Sequence, residues 1–122
     1  MNAPRILTFK EYEDWVRWRA GEGPQKVRDW ITMFNCLSLV HTDKSATVTS
    51  WFRTDKTFHK EGYAVDFRMH YYTDEEVRPM TAAAVAAGIP VTIRNRGSRS
   101  QHWHCGELAT LSWERGRVYK VT

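Results

Sequence analysis

Along the first third of the chain, apolar residues recur at the spacing of a helix. In the stretch TFKEYEDWVRWRAG, Phe9, Tyr12, Val16 and Trp15 or Trp18 share one side, with charged residues between them. Thr8 stands three residues before Glu11, the pattern of a capping box, so the helix is expected to start there and to end by Gly21. GEGP at 21–24 breaks the pattern, and QKVRDWITMFNCLSL resumes it through Val27, Trp30, Ile31 and Phe34. These positions predict a second helix packed on the first.

From SATVTSWF onward the chain turns to β-formers. Further strands are predicted at YAVDFRMHY, PVTIRN, HWHCGELATLSW and RVYKVT. One helix interrupts them, in TDEEVRPMTAAAVAAG, where Thr73 and Glu76 make a capping box and Gly88 a stop. Pro79 is expected to kink that helix or to mark its true start, because proline lacks the amide and its ring crowds the preceding turn. The order predicts an α+β fold: a small antiparallel sheet, two N-terminal helices and one helix inserted between strands. Residues 1–122 read as a single domain, without internal repeat or linker.

Composition changes this picture little. Hydrophobic residues make up 42% and charged residues 26%, ordinary for a soluble domain, while six tryptophans make it rich in aromatics. There is no run of eighteen apolar residues, and MNAPRILTFKEYEDW lacks the apolar region of a secretory signal. A cytoplasmic protein without membrane insertion is the expectation. Cys36 and Cys105 are widely separated and fit reduced thiols better than a disulfide framework. A net charge of +4 suits a polyanionic partner such as nucleic acid, acidic lipid or the polymers of a bacterial wall. Arg94, Arg96 and Arg99 cluster in IRNRGSRS, but no aromatic is interleaved with them, which weighs against a nucleic-acid footprint.

Candidate chemistry gathers on two strands. Alternation in YAVDFRMH points Tyr63, Val65, Phe67 and Met69 one way and Ala64, Asp66, Arg68 and His70 the other. An aspartate in mid-strand needs a partner, and a metal, an arginine or a turn amide would each serve. In QHWHCGEL, His102 and His104 are two apart and share a face, opposite Trp103 and Cys105. Zinc accepts imidazole nitrogen and carboxylate oxygen, and a catalytic zinc keeps three protein ligands with one position open. His59, Asp66 and one of the later histidines make such a set, although scattered histidines also occur as plain structural groups. His41 and His70 have no partner pattern and read as structural.

The stretch VTSWFRTDKTFHKEGYAVDF resembles the signature of the zinc D-alanyl-D-alanine peptidases and related phage endolysin peptidases, the Hedgehog/DD-peptidase superfamily. That pattern is Ser-x-x-Arg at a strand end, then Ser-x-His-x-x-Gly-x-Ala-x-Asp, then a histidine preceded three residues earlier by an acid. Ser50 and Arg53 match the first part, and His59, Gly62, Ala64 and Asp66 the second, with Thr57 for the usual serine. His104 matches the last ligand, and the likeness spans roughly residues 45 to 108. It implies a Hedgehog/DD-peptidase-like fold and a zinc metallopeptidase acting on bacterial peptidoglycan, with Zn2+ held by His59, Asp66 and His104. It also implies that Arg53, with Ser50 beside it, binds the substrate carbonyl and the developing oxyanion, and that His102 assists in the same pocket. A monomeric, phage-encoded lysis protein that reaches the wall after membrane permeabilisation fits the basic charge and the missing signal.

The departure from the pattern is Gln101, which occupies the place of the catalytic carboxylate. An amide orients a water but cannot take its proton. Glu107, the nearest acid, faces away from His102 and His104 on a regular strand, which leaves Glu61 or His102 as a substituted base. A retired enzyme that keeps its metal as a binding module, and an engineered inactivation, are the other readings of that position.

Overall fold

The computed structural model describes residues 7–52, 62–106 and the backbone of 119–120. Within them run β1 (Thr8–Phe9), α1 (Tyr12–Arg19), α2 (Gln25–Thr42), β2 (Thr47–Ser50), β3 (Val65–Arg68), α3 (Asp74–Ala86), β4 (Val91–Arg94), β5 (His102–Cys105) and β6 (Tyr119–Lys120). The strands form one sheet in the order β1-β2-β3-β5-β4-β6. The predicted α+β organisation holds, with two helices before the main strands and α3 inserted between β3 and β4. Each predicted strand region contributes a strand, while the part of HWHCGELATLSW from position 107 onward lies outside the described residues.

The start of the chain differs from expectation. Thr8 opens an edge strand rather than a helix: its amide donates to Ala46 O at 3.1 Å, and its hydroxyl shares a hydrogen bond with Thr47 Oγ1 at 2.7 Å. Lys10 N donates to Val48 O at 2.8 Å, so this short segment gains a ladder that no local helix supplies. α1 therefore begins at Tyr12 behind Glu11, which gives no side-chain cap. Because β1 runs parallel to β2 while the other pairings are antiparallel, the sheet is mixed, not purely antiparallel.

The helices cover one face of the sheet. Val27, Ile31, Phe34 and Ser38 form the buried stripe of α2, spaced by a turn each, and α2 lies along α3. Phe34 stacks on Phe67 at 4.2 Å between ring centroids and meets Trp103 edge-on at 5.1 Å. From the strands, Val48, Val65, Phe67, Val91, Ile93, Trp103 and Cys105 complete this core, and the indole N–H of Trp103 donates to Thr81 Oγ1 at 2.8 Å. The first two helices meet through Arg28. Arg28 donates to Trp18 O and Glu22 O at 3.1 and 2.8 Å while its guanidinium lies 4.2 Å from the Trp18 ring. Tyr63, expected on the apolar face, precedes β3 and is exposed.

α3 starts where its capping box predicts. Glu76 N donates to Thr73 Oγ1 at 3.2 Å, and Thr73 N donates to Glu76 Oε1 at 2.9 Å. Lys44 Nζ reaches the same Glu76 oxygen at 2.6 Å, and that contact above all holds the carboxyl below its ordinary range. Pro79 sits inside the helix on an exposed position and does not mark its start, because the cap and three acidic residues already secure the first turn. At the other end Ile89 N donates to Ala84 O and Gly88 N to Val85 O, both at 3.0 Å, a Schellman closure that needs the φ of +86° at Gly88. Among the described residues, no helix is long and apolar enough to cross a membrane. Cys36 is exposed and Cys105 buried, both as free thiols.

The aromatic junction between α2, β3 and β5 sets the expected response to core truncation. Phe34→Ala should lower the unfolding free energy by about 3–5 kcal/mol, the range for removing a buried aromatic ring. Urea unfolding followed by tryptophan fluorescence checks it.

Candidate metal centre

The sheet face turned away from the helices carries the polar side chains. Since Phe67, Trp103 and Ile93 point into the core, alternation places Asp66 and Arg68, His102 and His104, and Thr92 and Arg94 on the opposite face. Strand register then sorts them into rows. Asp66 lies opposite His104 and His104 opposite Thr92; one step along, Arg68 lies opposite His102 and His102 opposite Arg94. Ser50 pairs with Asp66 on the other side, through an irregularity in β2.

Asp66 and His104 are 4% and 1% exposed, so their polar atoms depend on protein partners. Asp66 Oδ1 stands 2.8 Å from His104 Nδ1, and Asp66 Oδ2 stands 3.6 Å from His102 Nε2. His102 Nδ1 is 2.8 Å from Ser100 O, and since a carbonyl only accepts, Nδ1 carries the proton. The other ring nitrogen of His102 is thereby presented to Asp66. This answers the need of a mid-strand aspartate for a partner: it is hydrogen-bonded to the His104 imidazole, with the His102 ring beside it. Behind it, burial and then the charge of Asp66 push the Cys105 thiol well above its ordinary range, so this cysteine stays protonated.

The donor chemistry fits a metal such as zinc. The 2.8 Å contact between Asp66 and His104 is a hydrogen bond between two groups of the donor types that zinc accepts. A backbone carbonyl fixing the tautomer of a neighbouring histidine is the usual support for such a group. Among the described residues, no cluster of three or more His, Cys, Asp or Glu is arranged to hold an ion. His59, the expected first ligand, lies outside the described residues, as do Arg53, Thr57, Glu61 and Glu107.

Gln101 is not brought to this pair. Gly97 N donates to its Oε1 at 2.8 Å, and its Nε2 lies 2.8 Å from Met69 Sδ. Position 101 directly precedes β5 and shares the side of Trp103, so its amide secures the 95–100 loop instead. That loop is held by its own hydrogen bonds, Ser98 Oγ to Asn95 O at 2.7 Å and Asn95 Nδ2 to Ser100 Oγ at 3.1 Å, with Arg96 and Arg99 exposed.

One residue that sequence reasoning passed over is Asp14. Its carboxylate is 3% exposed and accepts from two consecutive amides, Trp51 N at 3.0 Å and Phe52 N at 3.1 Å. Trp51 in turn donates its indole N–H to Gly62 O at 2.9 Å. A Cβ at Gly62, whose φ is +82°, would lie 2.7 Å from the Phe52 ring, so the turn glycine is required by space as well as by backbone. Asp14 thus fixes the chain immediately before Arg53, and Trp51 ties that point to the approach of β3. An acid in EYED reads only as first-turn decoration of a helix; nothing local announces partners 37 and 38 residues away.

Compared with known proteins, the chain matches no family model and no curated relative.

Burial raises the Asp14 carboxyl above its ordinary value of 3.8, against the lowering effect of the Phe52 and Trp51 amides. A raised folded-state value means that the stability tied to this titration is fully present below pH 3.8 and is lost as pH rises through the folded value. Asp14→Ala, which leaves both amides without their acceptor, should cost about 2–4 kcal/mol. The stability difference between the wild type and Asp14→Asn should be largest at acid pH and shrink towards neutrality. Denaturant curves between pH 3 and pH 7 measure both.

Proposed function

We propose that the protein is a zinc-dependent peptidase of the bacterial cell wall, hydrolysing a peptide bond of the peptidoglycan stem or cross-link. The observation that carries this reading is the buried Asp66–His104 pair, 2.8 Å apart on adjacent strands, with His102 Nε2 turned to the same carboxylate. Asp66 and His104 are two of the residues whose spacing resembles the DD-peptidase signature, and they stand side by side on β3 and β5 with His102 next to them. His59 would complete the ligand set with Asp66 and His104.

Zinc, when bound, would supply Lewis acidity and bring the pKa of a water towards neutrality. The chain's own residues divide the remaining work. Arg53, which stays charged at any working pH, would bind the substrate carbonyl and stabilise the negative charge that develops on it. Ser50, paired with Asp66 across β2 and β3, would line the same cleft. His102 is the group able to move a proton there, since its Nδ1 proton is committed to Ser100 O and its Nε2 faces the site. Gln101 holds Gly97 and takes no part in proton transfer.

A second reading, a zinc-stabilised binding module that has lost catalysis, is favoured by that same commitment of Gln101. In that second reading the chain is a phage structural or host-interaction protein; zinc belongs to both readings, and proton transfer separates them.

Elemental analysis should find one zinc per chain, lost in His59→Ala and in Asp66→Ala. Incubation of purified sacculi with the zinc-loaded protein should release new peptide termini, and a chelator should abolish them. His102→Gln should keep the metal yet slow release by about 10²-fold or more, the usual contribution of a proton-transferring side chain. Full zinc occupancy without any new termini would leave the binding module as the reading.

A further inference from the structure

We propose that the cavity between the start of α3 and the 95–100 loop binds a free zwitterionic amino acid with a small apolar side chain. It shares no residue with the candidate metal centre and stands independently of the peptidase reading. Its volume is about 190 Å³. Met69, buried, and Tyr72 and Val77, half-buried, form its floor, while Asp74 and Arg99 are exposed at its mouth. His70, its ring edge-on to Tyr71 at 4.9 Å, completes the rim.

Charge is what marks this cavity. Asp74 and Arg99 line one small space, yet neither side chain has a hydrogen-bonding or ionic partner among the described residues. The backbone on each side is fixed. Asp74 opens α3 directly after Thr73, whose capping box with Glu76 secures the first turn. Arg99 belongs to a loop tied by Ser98 Oγ donating to Asn95 O at 2.7 Å and by Gly97 N donating to Gln101 Oε1 at 2.8 Å. Two opposite charges held apart over an apolar floor suit a ligand that carries both. Its ammonium meets the Asp74 carboxylate, and its carboxylate meets the Arg99 guanidinium, which offers two parallel N–H donors.

The floor is equally well anchored. The Tyr72 hydroxyl shares a hydrogen bond with Ser38 Oγ at 2.6 Å, its ring meets Trp103 edge-on at 5.0 Å, and Gln101 Nε2 lies 2.8 Å from Met69 Sδ. With those polar atoms committed, the floor offers apolar contact to a side chain. At about 30 Å³ for each water in the liquid, the cavity corresponds to about six waters, the bulk of a ligand of about six to eight non-hydrogen atoms. An amino acid up to about the size of valine fits that space, which is too small to enclose a peptide. Gln101, standing where the signature has its carboxylate, thus builds the wall of a second site.

The test titrates the full-length protein with valine, each enantiomer separately, by calorimetry and by NMR of the Met69 and Val77 methyl groups. N-acetylvaline lacks the ammonium, valinamide lacks the carboxylate, and valyl-valine keeps both charges on a larger body. At least one enantiomer should bind and shift those methyls, and each of the three comparison compounds should bind about tenfold more weakly, the loss of one charge-assisted contact or of the fit. Arg99→Gln should abolish the preference for valine over valinamide and keep that over N-acetylvaline, and Asp74→Asn should do the reverse. Arg99→Lys should restore part of the first preference. No methyl shift with either enantiomer at about 10 mM overturns the site. Valinamide or N-acetylvaline binding as well as valine overturns the zwitterion, and valyl-valine doing so overturns the free amino acid.

Discussion

The register of β3 against β5 is the constraint on which the rest of this structure depends. It sets Phe67 beside Trp103 on the helix side and Asp66 beside His104 on the other. Because side chains alternate with a period of two, a slip of one residue would drive the carboxylate and imidazoles into the aromatic core and expel Trp103. Phe34, stacked on Phe67 and edge-on to Trp103, enforces the choice from above. The polar pairing below it need not be strong to be well placed; the apolar face decides the register and the polar face inherits it.

A second device works at a distance from that register. Asp14 grips the two amides at the exit of β2, and Trp51 reaches from there to Gly62 O. Arg17 lies 4.4 Å from the Phe52 ring, and Gly23 leaves its space to the Trp51 indole, where a Cβ would approach to 2.5 Å. The first helix therefore acts on the candidate site through the chain path before Arg53, although it contributes no side chain to the Asp66–His104 pair.

How much of this was legible in the sequence depends on the range of the interactions. The second and third helices, the strand alternation around Asp66 and the shared face of His102 and His104 all rest on neighbours within a few residues, and they were readable. Thr8 was misread because a capping box and an edge strand begin with the same residue, and the choice is made by Ala46 and Val48, far along the chain. Of the two expectations for Pro79 the helix start is the one overturned, because the Thr73–Glu76 box, steadied by Lys44 from another element, begins the helix ahead of it. Asp14 was invisible for the same reason: a buried acid whose partners are distant amides has no signature in its own helix.

Gln101 shows where motif reasoning and strand geometry part. A signature defines a position by its distance from the last histidine, but a side chain points where the strand's alternation sends it. With His104 on the polar face, 102 shares that face and 101, at the strand's entrance, shares the side of Trp103 and meets Met69. Replacing the amide by an acid would not by itself carry a carboxylate through the sheet to Asp66. On the proposed reading, proton transfer in this chain belongs to a group already on the polar face. His102 meets that condition, since the Ser100 carbonyl fixes its tautomer and strand register fixes its position.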